Sequence, residues 1–133
     1  MKTIFENKYL SFGIDIENAI FLYAWKSTSE EMALDELFIE AQRILEAVLQ
    51  NKVRCIISQD TDFKFLLVPE IQSEMNKKIL SVLNNSSVKK FAHIQSTQII
   101  SQLGVEQFFD ENINKTYEDK YFDNLTDALS WCK

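Results

Sequence analysis

Tyr121-Phe122-Asp123-Asn124-Leu125-Thr126-Asp127-Ala128-Leu129-Ser130-Trp131 reads as an aromatic strand end, a capped turn and a short closing helix. The Asn124 side chain can accept a hydrogen bond from the free backbone donors at the helix start. Asp127, three residues on, adds negative charge to the first turn, where the helix dipole favours it. Leu125, Ala128, Leu129 and Cys132 fall on one face at helical spacing. A strand running directly into a helix points to a repeating strand–helix architecture.

The same alternation recurs upstream. Val88 to Ile94 reads as a strand, and Ser96 or Thr97 can cap a helix that turns Ile99, Ile100, Leu103 and Phe108 inward. Tyr117 to Phe122 follows as the last strand. Pro69 suits the first position of another helix, where its missing donor would be unpaired anyway. Ile71, Met75, Ile79 and Val82 line one side of it, and Asn84-Asn85-Ser86-Ser87 ends it. Before it comes a short apolar strand from Val53 to Ser58. The first long helix carries Leu34, Leu37, Phe38, Ala41, Ile44, Leu45 and Val48 at helical spacing, with Glu36, Glu40, Arg43 and Glu46 in other positions.

Two strands open the fold. Leu10, Phe12 and Ile14 alternate with Ser11, Gly13 and Asp15, the period of a half-buried strand. Ala19 to Trp25 is nearly all apolar, so it predicts an interior strand covered on both faces, with Phe21 and Tyr23 on one face and Ile20 and Leu22 on the other. The short break Asp15-Ile16-Glu17-Asn18 favours antiparallel pairing of the two. The expectation is an α/β fold, one domain over residues 1–133, with a mixed, mostly parallel sheet of about five strands and about four helices.

Composition limits the function classes. A chain of 133 residues suits one domain and buries enough surface for a core without staples. Its net charge of −6 repels a phosphate backbone, and Lys77, Lys78, Lys89 and Lys90 are interrupted by apolar and neutral residues, so nucleic acid is not an expected partner. No apolar run reaches the ~18 residues that mark a membrane span. The start, Met1 to Glu6, lacks the apolar stretch of a secretion signal, so a cytoplasmic location is expected. Of the two cysteines, Cys55 reads as a free, small buried hydrophobe in an apolar strand.

Catalytic signals are sparse. Gly13 and Gly104 stand alone and build no phosphate-cradling loop. His93 is the sole histidine; inside a strand it reads as a hydrogen-bonded packing residue, and with no nucleophile at a telling position it predicts no catalytic set. One histidine with scattered carboxylates predicts no metal site and no cofactor. The segment Ser58-Gln59-Asp60-Thr61-Asp62-Phe63-Lys64-Phe65 is the more informative one. It leaves the carboxyl end of a strand, the rim where open α/β sheets bind ligands and partners. Asp60 and Thr61 with Phe63, Phe65 and Leu67 form the candidate ligand or partner loop. Its apolar residues read as core, as a lid over a pocket, or as a contact surface.

Several segments carry a family resemblance: Lys26 after Trp25; Asp60-Thr61-Asp62-Phe63-Lys64-Phe65 followed by Pro69-Glu70-Ile71-Gln72; Gln102-Leu103-Gly104-Val105-Glu106-Gln107; and Tyr121-Phe122-Asp123-Asn124 with Ala128, Leu129 and Trp131. In this order they resemble small bacterial STAS-like proteins, related in fold to anti-sigma-factor antagonists and to the CRAL-TRIO lipid-binding group. The resemblance implies an α/β sheet with packed helices, and binding or regulation rather than catalysis. In the antagonists a serine near the start of the second helix is phosphorylated. Here Val68 precedes Pro69, and Ser58 and Thr61 lack the Asp-Ser setting, so no such site is carried over. The expected function is a non-enzymatic module acting through protein contacts. The alternative is a carrier holding a small apolar or lipid-like ligand under residues 63–67. A homodimer is expected, with Gln102, Glu106 and Gln107 as the candidate pairing face.

Overall fold

The computed structural model of the protein describes residues 1–96 and 114–133. Strands β1 (Lys2–Glu6), β2 (Leu10–Asp15) and β3 (Ile20–Trp25) form an antiparallel meander. A short 3-10 turn (Ser27–Glu31) leads to α1 (Leu34–Asn51), followed by β4 (Cys55–Gln59), α2 (Pro69–Leu83), β5 (Lys90–Ile94), β6 (Glu118–Phe122) and α3 (Leu125–Cys132). The six strands lie in one sheet in the order of the sequence, and β3, β4, β5 and β6 pair in parallel. The α/β class and the mixed sheet match the expectation.

The strand count does not. Among the described residues β1 brings the sheet to six strands, where about five were expected. β1 is an exposed edge strand and carries no apolar period, and the signal lies instead in the turn that follows. Asn7 Oδ1 accepts from the backbone N–H groups of Tyr9 and Leu10, both at 2.9 Å, and folds β1 back onto β2. Among the described residues there are three α-helices rather than about four; the helix expected around residues 99–108 lies outside them.

Local chemistry explains the element ends. α1 starts without a side-chain cap, and Glu36 Oε1 reaches back to accept from the Ala33 N–H at 2.9 Å. It ends on Lys52 in the left-handed region. Pro69 occupies the first turn of α2 as expected. Asn124 caps α3 by accepting from the Asp127 N–H at 2.9 Å. Glu40, expected on the polar side of α1, is buried, because its carboxylate meets Asn7 Nδ2 at 3.0 Å and Arg43 Nε at 3.4 Å. Leu125 lies mostly outside the packed face of α3.

The sheet separates two apolar layers. On one face Phe12, Phe21, Tyr23, Trp25, Ile56 and Phe91 meet Leu37, Ile44, Leu45 and Val48 of α1 and Leu83 of α2. On the other, Ile20, Cys55, Ile57, Ala92 and Ile94 meet Ala128 and Cys132 of α3, with Leu129 and Trp131 alongside. β3 therefore contributes to both layers, with Phe21 and Tyr23 to one and Ile20 to the other, as its sequence predicts. Cys55 is buried as expected but is not free: it is bonded to Cys132, 77 residues away. The two cysteines sit in unrelated local patterns, and only the docking of α3 beside β4 brings them together.

Candidate functional site

The parallel strands end on a common rim. Lys26 follows β3, residues 60–68 follow β4, Gln95 follows β5 and Asp123 follows β6. Backbone bonds stitch this rim: the Asp60 N–H donates to the Ile94 carbonyl at 3.1 Å, and the Gln95 N–H to the Phe122 carbonyl at 3.0 Å. Below it, strand register aligns Tyr23, Ser58, His93 and Tyr121 in one row across the face that carries α1 and α2.

That row is polar inside an apolar layer, and its groups are internally wired. The buried Ser58 hydroxyl donates to Asp60 Oδ1. Burial pushes the Asp60 carboxyl above its usual range, against the Ser58 hydrogen bond, the nearby His93 and the Gln95 side chain. Tyr23 is pushed far up, first by burial and then by the Asp60 charge. His93 Nε2 lies 2.8 Å from Asp119 Oδ1, and Asp119 Oδ2 accepts from Lys115 Nζ. Burial opposes ionisation of Asp119, but its bonds and charge contacts with His93 and Lys115 outweigh it and hold its pKa below the ordinary range. The imidazole is stacked between Phe91, centroids 4.2 Å apart, and Tyr121, 4.8 Å apart. His93 is thus both hydrogen-bonded and packed between rings.

Ser58, His93 and Asp119 thus stand on three neighbouring strands, a set of residue types used in nucleophilic catalysis. The connections differ from such a set. The Ser58 proton goes to Asp60, and at 1% exposure its oxygen is out of reach of a substrate. Sequence reading missed this convergence. The available signal was a polar residue on the inward face of each of three adjacent strands, and it needed the register to become visible.

A second polar group joins the meander to α1 on the same rim. Tyr9 Oη donates to Glu36 Oε2 at 2.7 Å, a bond that together with burial raises the tyrosine pKa to about 12. Lys26 Nζ donates to the Asn7 carbonyl at 2.8 Å and pairs with Glu6 at 2.9 Å. Lys26, singled out in the sequence, is here a strut between β3 and the β1–β2 turn.

The candidate loop divides by parity. Phe63, Phe65 and Leu67 are half-buried and pack against the larger core, with the Phe63 ring 4.9 Å from Trp25 and 6.4 Å from Phe65. Lys64, Leu66 and Val68 face outward, and Leu66 is 85% exposed. The Lys64 N–H donates to the buried Ser29 Oγ at 2.9 Å, anchoring the strip. Asp60 lies at the inner end of the loop; Thr61 is exposed, its hydroxyl 3.5 Å from Gln59 Oε1. Gln102, Glu106 and Gln107 lie outside the described residues. An open groove of about 410 Å³ runs along α1, lined by Phe38, Ile39, Gln42, Arg43 and Glu46, away from this loop. Among the described residues no cluster of side chains could hold a metal ion, and no helix is long and apolar enough to cross a membrane. No family model, curated protein or solved structure matches the chain.

Proposed function

We propose that this chain is a non-catalytic, STAS-like, cytoplasmic module that acts through protein contacts as a homodimer, with the strip 64–68 as its contact surface. The observation that carries the contact reading is Leu66. A large apolar side chain stands 85% exposed between two neighbours that are held down on the core. A pre-ordered strip loses little freedom on binding, and an apolar knob on it supplies the buried contact that dominates small interfaces. Val68, 44% exposed, extends the same outward edge. An apolar or lipid-like ligand beneath residues 63–67 would instead have to displace Phe63 from Trp25.

Leu66→Asp tests the contact reading. It is expected to leave thermal denaturation unchanged while removing the proteins that the wild type captures in a pull-down. Identical capture by both proteins would overturn the strip as a contact surface. Uptake of a fluorescent fatty acid by the wild type, lost in Phe65→Asp with the fold intact, would favour the carrier. A single-chain mass in sedimentation at micromolar concentration would remove the dimer.

A further inference from the structure

We infer that Cys55 and Cys132 form a reversible thiol–disulfide clasp that decides whether α3 stays docked on the sheet. Cys55 is the first residue of β4, fully buried, and Cys132 is the last residue of α3, 1% exposed; their Cα atoms are 5.8 Å apart. That separation suits a bond.

Among the described residues the rest of the α3 attachment is thin. Eight residues make a helix of about two turns, which is marginal on its own in water. Its buried contributions are Ala128 and Cys132, with Leu129 and Trp131 partly covered. Lys90 adds one hydrogen bond to the Trp131 carbonyl at 2.7 Å and sits 5.1 Å from the indole ring. The larger core lies on the opposite face and uses no residue of α3. Opening the clasp therefore frees α3 without dismantling the domain, and uncovers Ile20, Ile57, Ala92 and Ile94. Reagent reaches the buried sulfurs through Cys132, because the last turn of a short helix frays first.

The exchange balances with a small-molecule disulfide such as oxidised glutathione. The Cys132 thiolate attacks one sulfur of the oxidant and releases one glutathione thiolate. The Cys55 thiolate then attacks the Cys132 sulfur of the mixed disulfide and releases the second. Two protein thiols have lost two electrons and two protons, and the oxidant has gained them. Reduced glutathione runs the same steps backwards.

The test is a series of glutathione redox buffers applied to the full chain. Thiols are counted by alkylation after denaturation, and amide hydrogen exchange is followed peptide by peptide. The expected result is two thiols at the reducing end and none at the oxidising end. Across that change, exchange in residues 125–132 rises at least about tenfold while α1 stays protected. Cys132→Ser is expected to exchange like the reduced wild type at every buffer; if that variant fails to fold, the wild-type series decides alone. Two thiols at every buffer would overturn the clasp. So would a bond whose opening leaves α3 exchange unchanged, or one whose opening exposes α1 as well.

Discussion

The two faces of the sheet are held by different means. Toward α1 and α2, aromatic and aliphatic side chains from all of β2 to β5 interlock with an eighteen-residue helix, and no covalent link is involved. Toward α3, a helix of eight residues covers part of the face of the parallel strands, and a disulfide ties it down. Where an element is long enough to bury a full apolar stripe, burial holds it. Where it is too short, one bond with a 77-residue span takes over much of that role.

The comparison breaks most visibly at Phe21. This ring is fully buried and lies 5.0 Å from Phe12. Phe21→Ala is expected to cost ~3–5 kcal/mol in urea denaturation, the largest effect here. A loss below ~1 kcal/mol would mean that the larger face is not the source of stability. On the other face, Cys132→Ala in oxidised protein is expected to cost ~2–4 kcal/mol, and the same substitution in reduced protein distinctly less. Equal losses in both states would remove the covalent half of the contrast.

The polar row sharpens the picture of the larger face through pH. Asp60 has a raised pKa, so the folded state binds its proton more tightly than the unfolded chain does. The stability of wild type relative to Asp60→Asn is then expected to fall as pH rises from the ordinary carboxylate range through the folded pKa. Asp119 has a lowered pKa and the opposite sign. Its contribution is present above the ordinary range and lost as pH falls through the folded value. Denaturation of the two Asn variants between acid and neutral pH should give slopes of opposite direction; slopes of the same sign would show that one carboxyl is wired differently. The smallest effect belongs to the hairpin between β2 and β3. Ala19 has φ 54°, where a side chain is unfavourable, so Ala19→Gly is expected to stabilise by ~0.5–1 kcal/mol.

Much of this architecture was legible in the chain because it rests on local pattern. The period of Leu10, Phe12 and Ile14, the stripe of α1, Pro69 and the Asn124 cap each act within a few residues, and each element stands where those signals put it. β1 was not legible, because an exposed edge strand needs no apolar period. The candidate site was legible only in part. Residues 60–67 were recognised from their place on the rim, but the outward turn of Leu66 depends on Ser29 and Trp25 in other elements. Ser58 with Asp60, His93 with Asp119, and Cys55 with Cys132 are products of register and docking, over separations that carry no periodic signal.

The sheet order has one further consequence, for how the molecule is made. Each strand pairs with the strand that precedes it in the chain. During synthesis, every new strand therefore finds its neighbour already in place, and no earlier strand waits with an open slot for a later one to be inserted. Strand pairing then closes loops only between consecutive strands, and the one closure across most of the chain described above, Cys55 to Cys132, follows when α3 docks. Such an order keeps the entropy of search low and suits folding that keeps pace with the ribosome.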